Sequence, residues 1–158
     1  MNPQTFSIEA EQSFLGALMC DGADAMARVE CEVTPAHFYR QDHGRIYAAA
    51  RKLVDAGRSA DSIAVSDALE EAGELQSVGG LGYVSSLQAS SYSSAGIRRH
   101  AEIIVERAAI RSLLAVSGQI ADLVAEHGQS TQEKIDAAQK LVMGLSERAT
   151  LGASEPKT

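Results

Sequence analysis

Two stretches near the C-terminus repeat apolar residues at alternating steps of three and four, and this pattern constrains the fold most. In the first stretch, residues 96–126, the repeat falls on Ile110, Leu113, Ser117, Ile120 and Val124. In the second stretch it falls on Ile135, Ala138, Val142, Leu145 and Ala149. Steps of this kind make the a/d seam of a heptad helix. Because only the short break HGQS separates the two helices, the sequence predicts an antiparallel helical hairpin.

A hairpin that projects from a domain has a second stripe to bury besides the seam that closes it. The candidates for this second stripe are Leu114, Ala121, Leu141 and Leu145. An apolar stripe that stays exposed is an association surface. The predicted interface, within the hairpin and with a second copy, comprises Ile110, Leu113, Leu114, Ser117, Ile120, Ala121, Val124, Ile135, Ala138, Leu141, Val142 and Leu145.

Helix signals also fill the first 95 residues, where no alternation typical of a strand is visible. Ser7 is a good N-cap for a helix whose mid-helix Gly16 indicates a close helix contact. Asp61 or Ser62 caps a later helix, and S-x-x-E from Ser130 forms a capping box. The predicted fold is therefore all-α: a compact multi-helix globular head (residues 1–95), an antiparallel helical hairpin (96–150) and the flexible start of a linker (151–158).

Composition limits what the chain can bind and where it works. The 158 residues carry a net charge of −7, so strong direct binding to DNA is not expected, because such binding relies on neutralising phosphates. Two cysteines do not make a disulfide framework. We identify no signal peptide and no apolar run of membrane-spanning length, and expect a cytoplasmic protein.

A zinc site is the first alternative that the residue types suggest. The candidate ligands are Cys20, Cys31, His37 and His43. Their spacing lacks the close Cys and His pairs that small zinc sites use, so we interpret them as buried thiols and helix-surface histidines, with no metal. A zinc hydrolase would require stoichiometric metal.

Two glycine-containing stretches resemble phosphate loops only superficially. VGGLGYV lacks the preceding strand and the lysine, and the terminal GASEPKT lacks the required glycines. Arg98, Arg99, His100 and Arg107 make a basic patch, but acidic residues interleave with it, which favours an ordinary solvated face. No nucleophile–base pair is evident, so no catalytic residue is predicted.

Four segments that occur in order carry a resemblance to a known family. They are IEAEQSFLGALM, FYRQDHGRIYAAARKLVDAG, ADSIAVSDALEEAGELQSVGGLGYVSSL and HAEIIVERAAIRSLL. The most specific positions are Phe38-Tyr39 with His43, Ile46 and Tyr47; Asp61; Gly73-x-Leu75 with Val78-Gly79-Gly80 and Tyr83; and Arg107 to Leu114. Over residues 7–149 the chain resembles the N-terminal domain of DnaB-type replicative DNA helicases.

The resemblance implies a scaffold and no catalysis in this chain. Hairpins of neighbouring subunits would pair, and the N-terminal domains would form a collar over a hexameric motor and a platform for the primase C-terminal domain. The acidic hairpin tip, with Asp122, Glu126 and Glu133, is the predicted docking site, and a helicase loader is a further possible partner. ATP and Mg²⁺ are expected only in the motor, and no cofactor is expected here.

The family's linker helix and ATPase are absent from this sequence, which stops in TLGASEPKT. We favour a domain of a longer helicase. The alternative is a stand-alone regulator that pairs with a host helicase through its hairpin.

Overall fold

The structure is a computed structural model that describes residues 3–91 and 93–153. Over these ranges it contains α-helices and short 3₁₀ turns and no strand, which confirms the predicted all-α class. The helices are α1 (Ile8–Ala27), α2 (Gln41–Asp55), α3 (Ser62–Glu71), α4 (Gly80–Ala89), α5 (Ile97–Ala125) and α6 (Thr131–Ala153). The 3₁₀ turns are Pro3–Thr5, Pro35–His37 and Gln76–Val78.

The helix starts lie where their capping residues predict them. The Ser7 hydroxyl accepts a hydrogen bond from the backbone N–H of Ala10 at 3.2 Å, and the Asp61 carboxylate accepts one from Ala64 at 2.8 Å. At α6 the capping box is complete, because Glu133 N–H donates to the Ser130 hydroxyl and Ser130 N–H donates to the Glu133 carboxylate. Local capping chemistry therefore sets where these three helices begin.

The core of the head forms around α1, which packs against α2, α4 and α5. Its largest members are fully buried, and the rings of Phe14 and Tyr47 lie 5.7 Å apart. Gly16 permits the closest helix contact, since a Cβ there would lie 2.3 Å from the Leu87 carbonyl oxygen of α4. The predicted close contact at Gly16 is confirmed, and its partner is α4.

The first half of α5 belongs to the head and not to the hairpin. Ile97, Ala101 and Ile104 are at most 2% exposed and lie in the same apolar core as α1. The core therefore continues past the boundary predicted at residue 95, and the projecting hairpin consists of the second half of α5 with α6. Of the predicted linker, residues 151–153 lie in α6 and residues 154–158 lie outside the described residues.

Candidate interaction surface

The hairpin is fixed to the head at Arg111. Its guanidinium donates to the carbonyl oxygens of Thr5 at 2.7 Å and His37 at 2.8 Å. It also lies over the Tyr39 ring, 5.6 Å from the ring centre. These contacts tie α5 to both 3₁₀ turns beside it, so they set the direction in which the hairpin leaves the head.

Beyond Arg111 the inner side of α5 is centred on Val116, which is 5% exposed. Ser112, Ile120 and Leu123 lie on the same side by helical periodicity and are half-buried. On α6 the half-buried side chains are Lys134, Ala137, Ala138, Leu141 and Leu145. At the tip the Lys134 ammonium donates to the Val124 carbonyl oxygen at 2.8 Å, which joins the ends of α5 and α6.

Only part of the predicted heptad seam lies in the stripe that closes the hairpin, since Ile120, Ala138 and Leu145 are half-buried and the other described seam residues beyond residue 111 are exposed. Leu113 is 57% exposed, Val124 is 67% exposed, and Ser117 is exposed as well. On α6, Ile135 and Val142 are each 46% exposed. The prediction that these residues face the other helix is wrong, because an apolar period shows that a stripe exists and not which neighbour it faces.

The remaining predicted interface residues divide between the two sides. Ile110, Ile120, Ala138, Leu141 and Leu145 are half-buried. The assignment of Leu141 to an open second stripe is therefore wrong, and Leu145, which is predicted for both stripes, is half-buried as its place in the seam requires. In contrast, Leu114 is 58% exposed and Ala121 is also exposed, as expected for that stripe.

One side of the hairpin carries exposed apolar residues of both helices, and we call it the open face. At about 100° per residue, Leu113, Ser117 and Val124 of α5 lie roughly 60–100° from the inward direction of Val116, which is a sixth to just over a quarter of a turn. Ile135 and Val142 of α6 are displaced from their own inward direction by about the same angle. Because the helices are antiparallel, these two displacements point to the same side.

The second half of α5 leaves much apolar surface uncovered. Its length and composition alone would allow α5 to cross a membrane: the most apolar stretch has a mean hydropathy of 1.4 and is only 11% buried. The expectation that no run reaches membrane-spanning length and apolarity is thus wrong for α5. The first half of the same helix is held in the head, however, and the apolar surface of the second half lies open beside it.

The tip of the hairpin is acidic and open to solvent. Asp122, Glu126 and Glu133 are all exposed, as their proposed docking role requires. Glu133 also serves as the capping residue of α6, so only part of its carboxylate is available to a partner. The role of the three residues in docking stays a prediction.

A buried polar network in the head was missed by the sequence analysis. His43, expected on a helix surface, is 0% exposed, and its Nδ1 lies 2.8 Å from the Glu11 carboxylate. Its Nε2 lies 2.6 Å from the Tyr83 hydroxyl. The Glu11 carboxylate also accepts the backbone N–H of Tyr39 at 2.8 Å. The network thus links α1, α2 and α4 with the chain that follows the Pro35–His37 turn, on which Arg111 is anchored.

A signal for this network exists in the sequence. Glu11 lies three and four residues before Phe14 and Leu15, on the stripe that α1 buries. A carboxylate on a buried stripe requires hydrogen-bond partners. The resemblance singled out His43 and Tyr83, but one sequence does not show that they meet Glu11.

Cys20 and Cys31, two of the candidate zinc ligands, lie in the head and not on the hairpin. Cys20 is exposed and Cys31 is half-buried, so the interpretation as buried thiols is wrong for Cys20. Burial raises the pKa of the Cys31 thiol. Among the described residues, no three His, Cys, Asp or Glu side chains are grouped so that they could hold a metal ion.

The basic patch on α5 is largely engaged within the chain. Arg98 pairs with Glu30 across the head, and Arg99 pairs with Glu102 one turn along the helix. Arg107 donates to the Phe6 carbonyl oxygen at 3.1 Å. Arg98 and Arg107 thus link α5 to other segments of the head, whereas the pair of Arg99 lies within α5.

Comparison with known proteins identifies the family. The model of the DnaB-like helicase N-terminal domain matches residues 3–106, which is the head with the first half of α5. The chain belongs to this family. Such a domain is the non-catalytic N-terminal part of DnaB-type replicative helicases.

Similar proteins extend the match over the hairpin. The chain is 31% identical to the replicative DNA helicase DnaB of Geobacillus stearothermophilus over 151 residues, which cover 93% of this chain and 32% of that protein. It is 29% identical over 147 residues to the replicative DNA helicase DnaC of Bacillus subtilis (strain 168), covering 93% and 32%. The chain thus spans about a third of the length of the curated relatives it matches.

Two solved structures share the fold. The crystal structure of the N-terminal domain of DnaB helicase from Mycobacterium tuberculosis matches with a TM-score of 0.77 and 28% identity, covering 87% of this chain and 97% of that chain. The second structure is of a DnaB-like replicative helicase and its interactions with primase. It matches with a TM-score of 0.70 and 27% identity, covering 89% of this chain and 31% of that chain.

Proposed function

We propose that this DnaB-type domain is an assembly and docking module of a replicative helicase. Its hairpin pairs with the hairpin of a second copy through the open face, and the paired domains form the collar to which the primase binds. The observation that carries this proposal is the open face itself, where Leu113 and Val124 are more than half exposed at 57% and 67%.

The energetic argument for pairing is the apolar area that the open face leaves in water. Burying apolar surface contributes roughly 25 cal/mol per Å², from which the cost of association and of ordering side chains is subtracted. The hairpin is already fixed to the head by the contacts of Arg111, so little further ordering is required on pairing. A rigid apolar face of this kind favours one specific contact over nonspecific association.

Sedimentation of the isolated chain over a range of concentrations tests the pairing. We expect a concentration-dependent dimer that Leu113→Asp weakens, because the substitution would bury an unpaired charge in the interface. Leu81→Asp is the matched control, since Leu81 on the head is similarly exposed at 51%. A wild-type chain that stays monomeric at high micromolar concentration would contradict the proposal.

The acidic tip supports the second part of the proposal, docking of the primase C-terminal domain. One of the two similar solved structures is that of a helicase and its interactions with primase, and it aligns over most of this chain. Exposed carboxylates at the tip suit a basic partner face. Charges at the rim of an interface mainly set the association rate and its salt dependence.

Calorimetry with the primase C-terminal domain at two salt concentrations tests the docking. The variant Glu126→Lys with Glu133→Gln lowers the acidity of the tip, and Gln keeps the capping box of α6. We expect weaker binding at low salt and a smaller salt dependence. Glu70→Lys with Glu71→Gln, at two exposed positions of α3, makes the same change in charge and is the control. Equal loss in both variants would show a general charge effect and no docking at the tip.

The remaining partners follow from the same proposal. In this proposal ATP and Mg²⁺ bind to the motor of the full-length helicase. The protein works in the cytoplasm, and a helicase loader is a further partner. With a net charge of −7, the domain should bind single-stranded DNA only at non-specific strength. Submicromolar binding at physiological salt would contradict this.

A further inference from the structure

A groove of about 1030 Å³ lies between α2 and α3, and we call it the head groove. The Arg45 guanidinium, near the start of α2, lies 3.6 Å from the carboxylate of Glu74, which follows α3. The two helices therefore run antiparallel and form the walls of the groove. Residues of the Pro35–His37 turn also line it, and none of its lining residues belongs to α5 or α6. The head groove is thus separate from the open face of the hairpin.

The floor of the head groove is apolar and its walls are open to solvent. Phe38 and Leu69 are 6% and 2% exposed, and Leu53 is half-buried. On the walls, Ala48 of α2 and Ala72 after α3 are exposed. Larger apolar side chains at these two positions would cover the floor from within the chain. The alanines instead leave the floor accessible to another molecule.

The shape of the head groove indicates a helical partner. Its lining follows one side of α2 from Arg45 to Ala56, which is roughly 16 Å at 1.5 Å per residue and equals three turns of a second helix. An apolar groove of this kind accepts the apolar face of an amphipathic helix. Residues 3–91 and 93–153 contain no strand, so within them an extended peptide finds no sheet edge to join.

The charges around the head groove indicate the sign of the partner. Lys52 and Arg58 line it, are exposed, and have no ion pair in the part of the chain that the structure describes. Arg45 is already paired with Glu74. In a chain with a net charge of −7, two such cations beside an apolar floor are complementary to carboxylates. Glu71 and Glu74 in the same lining disfavour the phosphates of a nucleic acid.

We propose that the head groove binds an acidic amphipathic helix of another protein. The apolar side chains of that helix cover Phe38, Leu53 and Leu69, and its carboxylates lie beside Lys52 and Arg58. The apolar floor supplies the area that is buried, and the two cations select an acidic helix over a basic one. The inference does not rest on hairpin pairing, because the groove lies on the head.

Fluorescence anisotropy with two synthetic peptides and the full chain tests the proposal. Both peptides carry the same leucine stripe at helical spacing, and they differ in having glutamate or lysine beside the stripe. We expect the glutamate peptide to bind at least about tenfold more tightly at low salt. Its advantage should shrink as the salt concentration rises, because exposed charges are screened. Equal binding of the two peptides at low salt would overturn the proposal.

A charge reversal tests the two cations. Lys52→Glu with Arg58→Glu should weaken binding of the glutamate peptide at least about tenfold and strengthen binding of the lysine peptide. Arg28→Glu with Lys140→Glu, at two exposed positions outside the groove, makes the same change in charge and is the control. Equal effects of the two double variants would show a general charge effect and overturn the proposal.

A substitution on the wall tests the groove itself. Ala48→Gln places a larger polar side chain over the apolar floor in a residue type that also favours helix. It should weaken binding of the glutamate peptide and leave the thermal unfolding of the chain nearly unchanged. Ala115→Gln, at an exposed position of α5, is the matched control and should leave binding unchanged. Unchanged binding in the Ala48→Gln variant would overturn the proposal.

Other occupants of the groove would give different results. If Leu113→Asp removes peptide binding and Lys52→Glu with Arg58→Glu does not, the peptide binds the open face and the inference is overturned. If the charge reversal instead lowers the association constant of the chain in sedimentation, a second copy occupies the groove, which also overturns it. A thymidine oligonucleotide that displaces the glutamate peptide would assign the groove to nucleic acid. A wild-type chain that is monomeric and still prefers the glutamate peptide would overturn hairpin pairing and support the inference.

Discussion

The head and the hairpin of this domain bury their apolar residues to very different extents. In the head, Phe14, Leu18 and Ile46 are 0% exposed, whereas Leu113 and Leu114 of the hairpin are 57% and 58% exposed. Both regions are made of similar helices with similar side chains. The head therefore buries its apolar residues within the chain, whereas the hairpin leaves an apolar surface exposed, which the proposed second copy would cover.

The head and the hairpin also differ in how they use charged side chains. In the head, the carboxylate of Glu11 is buried and bonded to His43 and to the backbone N–H of Tyr39. In the hairpin, Asp122 and Glu126 are exposed. Buried and bonded charges fix a structure, whereas exposed charges remain available for another molecule. The comparison predicts that equal substitutions have unequal effects in the two regions.

The largest expected effect is the loss of a core ring in the head. Phe14→Ala should lower the free energy of unfolding by about 3–5 kcal/mol, because it leaves a cavity beside Tyr47 and Phe38. Leu114→Ala in the hairpin should change it by no more than about 0.5 kcal/mol in dilute, monomeric protein. Urea denaturation of both variants measures this contrast. Similar losses in the two variants would show that the isolated hairpin is as well packed as the head.

A smaller effect is expected when an amide replaces the buried carboxyl group of Glu11. Glu11→Gln replaces one accepting oxygen by an amide that donates, so that either a bond to His43 or to a backbone N–H is lost or the His43 ring must change its tautomer to accept the amide. The expected loss is about 1–3 kcal/mol in the free energy of unfolding. Glu9→Gln, an exposed position in the same first turn of α1, is the control and should be nearly neutral. Equal stability of the two variants would show that the network around Glu11 does not stabilise the fold.

Helix ends and the close contact of Gly16 could be predicted from the sequence because their causes are local or nearly so. Ser7, Asp61 and the box of Ser130 with Glu133 each satisfy backbone groups within three residues. A glycine inside a strong helix pattern indicates a neighbour at close range, and α4 is that neighbour. These features require no knowledge of how the helices pack.

The side of α5 that faces α6 could not be predicted, since it depends on how the whole hairpin is placed. Both the stripe through Leu113 and the stripe through Val116 have helical spacing, and only the packed structure shows that Val116 is inside. The partners of His43 were missed for the same reason: Glu11 and Tyr83 are distant in sequence. Periodicity shows that a helix has an apolar face, and tertiary packing determines which neighbour that face contacts.

A cap in the hairpin should matter less than the core of the head. Ser130→Ala removes the hydroxyl that accepts the N–H of Glu133, which should cost about 1 kcal/mol of helix stability. Hydrogen exchange of the first turn of α6 measures the loss in the hairpin alone. Ser130→Asp supplies another good N-cap and should restore protection. Protection that is lost in both variants would mean that the side chain acts through something other than capping.

The smallest effect is a pH dependence at the junction of the two regions. Burial lowers the pKa of His37 below its ordinary value of 6.5, with Arg111 acting in the same direction and Glu32 against it. The neutral ring accepts the N–H of Thr34 through Nδ1 at 3.0 Å, so the folded state favours the unprotonated form.

Above pH 6.5 His37 is neutral in both states and its contribution to stability is fully present. As the pH falls from 6.5 through the lower pKa of the folded state, the unfolded chain takes up the proton first, and stability is lost. We expect His37→Asn to flatten this part of the stability profile in denaturant titrations between pH 7 and pH 5. His127→Gln, at an exposed position of the hairpin tip, is the control and should keep the wild-type slope. The His37 carbonyl oxygen accepts a hydrogen bond from the Arg111 guanidinium. The acid-induced loss of stability should therefore appear at the root of the hairpin before it appears in the core around Phe14.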